Sequence, residues 1–145
     1  MATKSRTPPP PSSHGSEGRV LVIDDSESML EAIAGGLSAA GFKVIATSQI
    51  VGAARHLGSC DLVILDFHMP GLDGATVLGS LKSAANRSSA RCMFLLYTSD
   101  AAEARRYKTH GFDGPLANKG DIPSLVKQVQ AYIRLARSRP EPSAK

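Results

Sequence analysis

Short apolar runs recur along this chain and restrict the folds that it can adopt. Val20–Ile23, Leu62–Leu65 and Met93–Tyr97 are four or five residues long and contain no charged side chain. Runs of this length without polar alternation are typical of strands that are buried on both faces of a parallel sheet. Phe42–Thr47 is predicted to be a further strand, and a fifth strand is predicted near Gly114–Asn118.

Helical patterns follow the predicted strands. We predict five helices: from Ser26 to the stop at Gly41, then Ile50–Leu57, Gly74–Leu81, Ala101–Thr109 and Ile122–Ile133, the last with Asp121 as its N-cap. Alternating strands and helices predict a parallel sheet that is covered by helices on both faces. The fifth strand contains Pro115, which cannot donate a ladder hydrogen bond, so we expect that strand to lie at an edge or to be distorted.

The two ends of the chain differ in composition from its middle. Residues 1–18 contain four consecutive prolines followed by serine and glycine, a composition that buries too little apolar surface to become ordered. We predict a disordered arm over 1–18, a single domain over 19–137 and a disordered tail over 138–145. The proline run is interpreted as a stiff solvated segment, with a polyproline ligand for a partner's aromatic groove as the alternative.

The net charge of +4 is carried by these ends. Residues 1–18 contribute +1 and residues 134–145 contribute +3, whereas the region between them holds eleven basic and eleven acidic residues. Nucleic-acid-binding domains carry basic charge on the folded body, so we predict no nucleic-acid partner for the core domain.

The apolar runs are too short to span a bilayer, the N-terminus lacks the apolar core of a signal peptide, and two cysteines form no disulfide framework. We expect a cytoplasmic protein without a membrane partner.

Polar residues stand where the predicted strands end. Asp24 and Asp25 follow the first strand, Asp66 follows the third, Thr98 follows the fourth, and Lys119 follows the fifth. The carboxyl ends of parallel strands meet at one edge of the sheet, where ligand sites form. Mg²⁺ takes carboxylate and phosphate oxygens as ligands, and a carboxylate can itself act as a nucleophile toward phosphorus. These residues therefore predict phosphoryl chemistry, in which the lysine neutralises charge and the threonine bonds a phosphoryl oxygen.

A longer motif surrounds these positions. The chain contains Val-Leu-Val-Ile-Asp-Asp-Ser at 20–26, Leu-Asp-Phe-His-Met-Pro-Gly-Leu-Asp-Gly at 65–74, Tyr-Thr-Ser at 97–99, and Gly-Phe-Asp-Gly at 111–114 upstream of Lys119. With these segments in order, the chain resembles the response-regulator receiver family of two-component signalling over roughly residues 19–135. The resemblance implies a flavodoxin-like (CheY-like) α/β fold, a doubly wound five-stranded parallel sheet with five helices.

The resemblance also implies roles for the residues at the strand ends. Asp66 would be the phosphoacceptor, and its phosphoryl group would come from a histidine kinase or a histidine phosphotransfer protein. A Mg²⁺ cofactor would be bound at Asp66, directly by Asp25 and through water by Asp24. The main-chain carbonyl of His68 would complete the protein ligands.

The resemblance further implies a switch. Lys119 would pair with the phosphoryl group, and Thr98 would move toward it. This movement would act on a signalling face formed by the fourth helix, the fifth strand and the fifth helix, which here includes Arg105, Arg106 and Lys108. No output domain follows in the sequence, so we expect a stand-alone domain that is not an enzyme. It would signal through an unknown protein partner or by onward phosphotransfer.

Three positions depart from the usual family pattern, of which Ser99, in place of the small apolar residue usual after the threonine, is the mildest. Gly120 follows the lysine where proline is usual, and Pro115 stands where an aromatic switch residue is common. Tyr97 is not expected to substitute, since strand alternation points its side chain away from Thr98. The departures at Gly120 and Pro115 motivate the main alternative, a phosphorylation-independent interaction module (pseudo-receiver) of the same fold. A Mg²⁺-dependent phosphatase is a further alternative, although such enzymes usually carry a second acid where this chain has His68.

Overall fold

The predicted strands form a single parallel sheet. The computed structural model describes residues 18–66, 73–88 and 90–138. Within them lie β1 (Arg19–Ile23), β2 (Lys43–Thr47), β3 (Leu62–Leu65), β4 (Met93–Tyr97) and β5 (Gly114–Leu116). Their order is β2–β1–β3–β4–β5, and all neighbouring pairs are parallel. The sheet confirms the predicted fold class, with β5 at an edge. The ends predicted to be disordered lie, apart from Gly18 and Ser138, outside the described residues.

Helices cover both faces of the sheet, and one of them is a 3₁₀ helix. They are α1 (Glu27–Ala39), a 3₁₀ helix (Ala53–Ser59), α2 (Gly74–Arg87), α3 (Ala101–Arg105), α4 (Tyr107–His110) and α5 (Ile122–Ser138). The short helix predicted at Ile50–Leu57 is present, but it spans Ala53–Ser59, is 3₁₀ and begins after Gly52, whose φ of 88° is left-handed. It buries only Ala53 and Leu57, too little apolar surface to stabilise a longer α-helix. Across the described residues, no helix has the length and apolar character needed to cross a membrane.

The helix predicted at Ala101–Thr109 is divided in two. α3 and α4 meet at Arg106, whose N–H donates to the carbonyl of Glu103, three residues back, at 3.0 Å. Neither piece contains a fully buried residue, so no apolar face holds a continuous α-helix against the sheet. Gly111 ends α4 in the left-handed conformation, with φ of 100°, at the C-terminal position where glycine is favoured.

Two apolar layers separate the sheet from its helices. In β1, Val20 and Val22 belong to the layer beneath α1 and α5, whereas Leu21 and Ile23 belong to the layer that includes α2 and the 3₁₀ helix. All four side chains are 0% exposed, as expected for a central strand of a parallel sheet. The carboxyl end of β1 is therefore fixed between two packed layers, which positions the residues that follow it.

α1 and α5 approach each other closely at Gly36. A Cβ atom at this position would clash with the Cγ2 methyl of Ile122, the first residue of α5. The same atom at the adjacent Gly35 would meet open space. A pair of glycines weakens α1 as an isolated helix, but Gly36 permits the close packing of the two helices.

Side chains of α5 cover the outer edge of β5. The Tyr132 hydroxyl donates to the carbonyl of Pro115 at 2.8 Å. The Gln128 amide accepts the Ala117 N–H at 2.7 Å and donates to the Ala117 carbonyl at 2.9 Å. Because Pro115 has no N–H, it adds no unpaired donor to this edge. The edge of the sheet is thereby protected against pairing with another strand.

Candidate functional site

Three carboxylates come together at the carboxyl ends of β1 and β3. Asp24 and Asp25 follow β1, and Asp66 follows β3, whose Leu65 pairs in register with Ile23. The ladder continues one step further, because the Asp66 N–H donates to the carbonyl of Ile23 at 3.0 Å. One oxygen from each carboxylate lies within 4.8 Å of the others. The structure thus brings together the three acids that the sequence analysis selected.

Lys119 reaches into this acidic cluster. Its Nζ lies 3.3 Å from Oδ2 of Asp24 and 3.4 Å from Oδ1 of Asp66, and its side chain is 15% exposed. One ammonium among three carboxylates leaves excess negative charge, and two of the acids, Asp24 and Asp66, are buried. Like charges at this spacing repel each other in the absence of a further cation. Several carboxylate oxygens form the type of ligand set that Mg²⁺ takes, so the residues present fit a divalent cation.

The two acids after β1 have different surroundings. Both oxygens of Asp24 are engaged, Oδ1 by the Ser26 N–H at 2.9 Å and Oδ2 by the ammonium of Lys119. Asp25 is exposed and makes no hydrogen bond with the part of the chain that the structure describes. Ser26 in turn caps α1, since its hydroxyl accepts the Met29 N–H at 3.2 Å. The oxygens of Asp25 are therefore available to a cation, whereas Asp24 is already held on both sides.

Thr98 lies directly after β4, the strand next to β3, and is 6% exposed. Its hydroxyl accepts the Asp100 N–H at 3.1 Å. Asp100 caps α3, because its Oδ1 accepts the N–H groups of Ala102 at 2.9 Å and Glu103 at 3.2 Å. The Thr98 hydroxyl is therefore engaged in the turn that leads into α3.

Tyr97, the last residue of β4, is a neighbour of Lys119 that the sequence analysis set aside. Its hydroxyl accepts the Gly120 N–H at 2.9 Å, and Nζ of Lys119 lies over its ring, 5.5 Å from the centroid. The ring packs in the layer beneath α1 and α5. Alternation indicates the face to which a side chain points but not how far it reaches. The signal that could have identified this contact is a large aromatic residue at the last position of β4. This position pairs with Leu116, the last residue of β5.

The loop between β5 and α5 holds Lys119 between two residues with left-handed backbone. The angle φ is 59° at Asn118 and 99° at Gly120, and asparagine and glycine are the residues that tolerate such values best. Proline, whose φ is fixed near about −65°, cannot take this conformation and has no N–H to donate. Asp121 then caps α5, because its Oδ1 accepts an N–H of the first helical turn at 3.1 Å. The loop conformation therefore favours glycine at position 120 and excludes proline.

The motif that follows Asp66 is described only at its end. His68, whose carbonyl the resemblance names as a metal ligand, lies outside the described residues. Asp73 caps α2, since its Oδ1 accepts the Ala75 N–H at 3.1 Å and its Oδ2 accepts the Thr76 hydroxyl at 3.0 Å. These bonds give Asp73 a structural role at the start of the helix.

Comparisons with known proteins found similar sequences and similar structures. The response regulator receiver domain family matches residues 20–130 of the chain. The chain is 42% identical over 117 residues to the transcriptional regulatory protein KdpE of Mycobacterium tuberculosis, a match that covers 79% of this chain and 50% of that protein. It is 36% identical over 121 residues to the transcriptional regulatory protein PrrA of Mycobacterium leprae, covering 82% of this chain and 51% of that protein. The chain thus spans about half the length of these relatives.

A solved structure shows the same fold. The chemotaxis protein CheY4 of Vibrio cholerae matches with a TM-score of 0.67 and 22% identity, over 79% of this chain and 97% of that chain. At this level of identity the likeness concerns the fold alone.

Proposed function

Because this chain belongs to the response regulator receiver domain family of two-component signalling, we propose that Asp66 accepts a phosphoryl group and that this modification switches an interaction surface. The observation that carries the proposal is the position of Lys119. Its ammonium lies within 3.4 Å of carboxylate oxygens of both Asp66 and Asp24. A cation at this distance can pair with phosphoryl oxygens that arrive at Asp66 and offset their charge.

The donor in this proposal is a phosphohistidine on a histidine kinase or a histidine phosphotransfer protein in the cytoplasm. A carboxylate oxygen of Asp66 attacks the phosphorus atom, and the P–N bond to the donor imidazole breaks. The imidazole keeps the electron pair and takes up a proton, and an acyl phosphate remains on Asp66. Asp66 is only 6% exposed, which limits the access of water to the acyl phosphate.

The acidic cluster would hold Mg²⁺ in this reaction. Asp25 would bind the ion directly, since its oxygens are exposed and have no partner among the described residues. Asp24 would bind through water, because both of its oxygens are already engaged. Asp66 and the main-chain carbonyl of His68 complete the proposed ligands. The bound ion supplies positive charge next to the transferring group.

Thr98 would transmit the modification. Its hydroxyl accepts the Asp100 N–H at 3.1 Å and still has a proton to donate to a phosphoryl oxygen, and movement of Thr98 toward Asp66 would stretch the bond to Asp100. Asp100 caps α3, so this movement acts on the start of the helix that leads into the proposed signalling face. The amide resonance of Asp100 is therefore expected to shift on phosphorylation in wild type and to shift much less in Thr98→Ala.

The test of the proposed function is phosphorylation by acetyl phosphate with and without Mg²⁺, followed by intact mass. We expect a Mg²⁺-dependent single phosphoryl adduct on wild type and none on Asp66→Ala. Asp73→Ala is the matched control, because it removes an acid from the same motif that serves as a helix cap, and it should keep the adduct. An adduct that persists on Asp66→Ala, or failure of wild type with both acetyl phosphate and a phosphorylated kinase, would overturn the proposal.

Pro115 favours a second candidate, a phosphorylation-independent interaction module. β5 consists of Gly114, Pro115 and Leu116, so it carries no aromatic side chain that could follow a movement of Thr98. This candidate predicts that Asp66→Ala binds the partner of the domain as tightly as wild type does. If phosphorylated wild type binds the partner more weakly or more tightly than Asp66→Ala does, this second candidate is excluded.

A further inference from the structure

We infer that Tyr97 is a positioning residue for phosphoryl transfer, which sets the place of Lys119 by anchoring the loop between β5 and α5. The inference rests on the proposed function, because it assigns a role in the reaction at Asp66. Tyr97 does not touch the reacting atoms in this arrangement. It acts through Lys119, which does reach Asp66.

Two contacts of one side chain flank the lysine. The Tyr97 hydroxyl accepts the N–H of Gly120, the residue after Lys119, at 2.9 Å. The face of its ring lies 5.5 Å from Nζ of Lys119, within the range of a cation–π contact. One contact therefore holds the backbone next to the lysine, and the other attracts the ammonium itself.

Tyr97 is a rigid anchor. It is 1% exposed and packs in the same buried layer as Leu116 and Leu125. Burial raises the pKa of its phenol, and the Gly120 N–H and the charge of Lys119 offset this only in part. The hydroxyl therefore stays protonated and neutral at physiological pH, and its oxygen is fixed in place as an acceptor.

The loop needs such an anchor. β5 ends at Leu116, and Lys119 lies between the left-handed residues Asn118 and Gly120. Gly120 has no side chain to pack, and a Cβ atom at its position would meet nothing within 4 Å. Within the part of the chain that the structure describes, the bond to Tyr97 is the hydrogen bond that ties the Gly120 N–H to the folded body. Without it, the backbone next to the lysine would be held by the bond from the Asp121 N–H to the Asn118 carbonyl, at 2.9 Å, and by the ends of the loop.

The consequence concerns the rate of phosphorylation. Lys119 spans two carboxylates at 3.3 and 3.4 Å, and a displacement of about 1 Å of a positioning group can cost up to about 100-fold in rate. We expect Tyr97→Phe, which removes only the hydroxyl, to slow phosphorylation by acetyl phosphate about 10-fold. Tyr97→Leu, which also removes the ring, is expected to slow it further.

The test compares Tyr97→Phe with Tyr132→Phe. The control removes a second tyrosine hydroxyl that is bonded to backbone, here the carbonyl of Pro115 at 2.8 Å, but away from the acidic cluster. We measure the phosphorylation rate, the unfolding midpoint and the exchange of the Gly120 amide with water by NMR. Both variants should lower the midpoint, whereas only Tyr97→Phe should slow phosphorylation and speed exchange at Gly120.

The outcomes separate this inference from the proposed function. A Tyr97→Phe variant that is phosphorylated as fast as Tyr132→Phe would overturn the role of Tyr97 and leave the function of Asp66 standing. If wild type takes up no phosphoryl group, the proposed function fails and the role of Tyr97 in phosphoryl transfer fails with it, and exchange at Gly120 then decides only whether Tyr97 anchors the loop. Equal exchange in wild type and Tyr97→Phe overturns the anchoring of the loop, and faster exchange in the variant supports it.

Discussion

Alanine at Gly36 is expected to destabilise the protein, whereas alanine at Gly35 is expected to stabilise it. Both residues lie in α1, where alanine is favoured over glycine by up to about 1 kcal/mol. The two positions differ in what the added methyl group meets. It meets open space at Gly35, but at Gly36 it meets the Cγ2 methyl of Ile122. The two variants form a matched pair in which the helix is the same and the packing differs.

The clash at Gly36 is not easily relieved. The methyl group of Ile122 is attached directly to Cβ, and β-branched side chains have few alternative rotamers. Val126 Cγ2 also lies 3.7 Å from the position of the new methyl. Overpacking of this kind costs about 1–3 kcal/mol. After the helix gain is included, Gly36→Ala should lose up to about 2 kcal/mol of the free energy of unfolding, and Gly35→Ala should gain about 0.5–1 kcal/mol.

Urea unfolding followed by circular dichroism measures this difference. For a slope of about 2 kcal/mol/M, a difference of about 2 kcal/mol separates the two midpoints by about 1 M urea. Ile122, which the new methyl group would push, begins α5 three residues after Lys119. Gly36→Ala should therefore also slow phosphorylation in the absence of urea. A Gly36→Ala variant that is as stable as Gly35→Ala would refute the close packing of α1 on α5.

Two further predictions concern the edge of the sheet and the thiols. Gln128→Ala leaves the Ala117 N–H and carbonyl to water at the exposed edge of β5, so it should lower the free energy of unfolding by about 1 kcal/mol; an unchanged urea midpoint would contradict this. Burial raises the pKa of the Cys92 thiol from 9.0 to about 11. The native state therefore keeps this proton longer than the unfolded state, and stability should fall as pH rises from about 9 to 11. This fall should be smaller in Cys92→Ser, and equal falls in both proteins would refute it.

The strands and the acidic cluster were predictable because both depend on short local patterns, namely an apolar run and the polar residue that follows it. Leu62–Leu65 is apolar throughout and is buried throughout, so its limits in the sequence are its limits in the structure. Parallel pairing then brings the next residue, Asp66, level with Asp24 without any further information. The convergence of the acids follows from strand ends alone.

The helices were less predictable where they bury little. α5 buries Leu125, Val129 and Ile133 on one face, and its apolar spacing predicts it well. The 3₁₀ helix buries only Ala53 and Leu57, so sequence spacing could not distinguish it from an α-helix. The helix breaks at Arg106 because neither side of the break contains a fully buried residue. Burial depends on how the segment packs, and the sequence alone does not give this packing.

Two of the departures from the family pattern, Gly120 and Pro115, have different physical consequences. At Gly120, φ of 99° excludes proline, and the N–H that proline lacks is the group that Tyr97 binds. The glycine and the tyrosine therefore compensate each other and keep Lys119 in the site. At Pro115 the carbonyl is held by Tyr132, and β5 offers no aromatic ring to move. The loop that departs from the pattern would thus support the proposed chemistry at Asp66, whereas the proposed transmission would pass through the turn into α3 and not through β5.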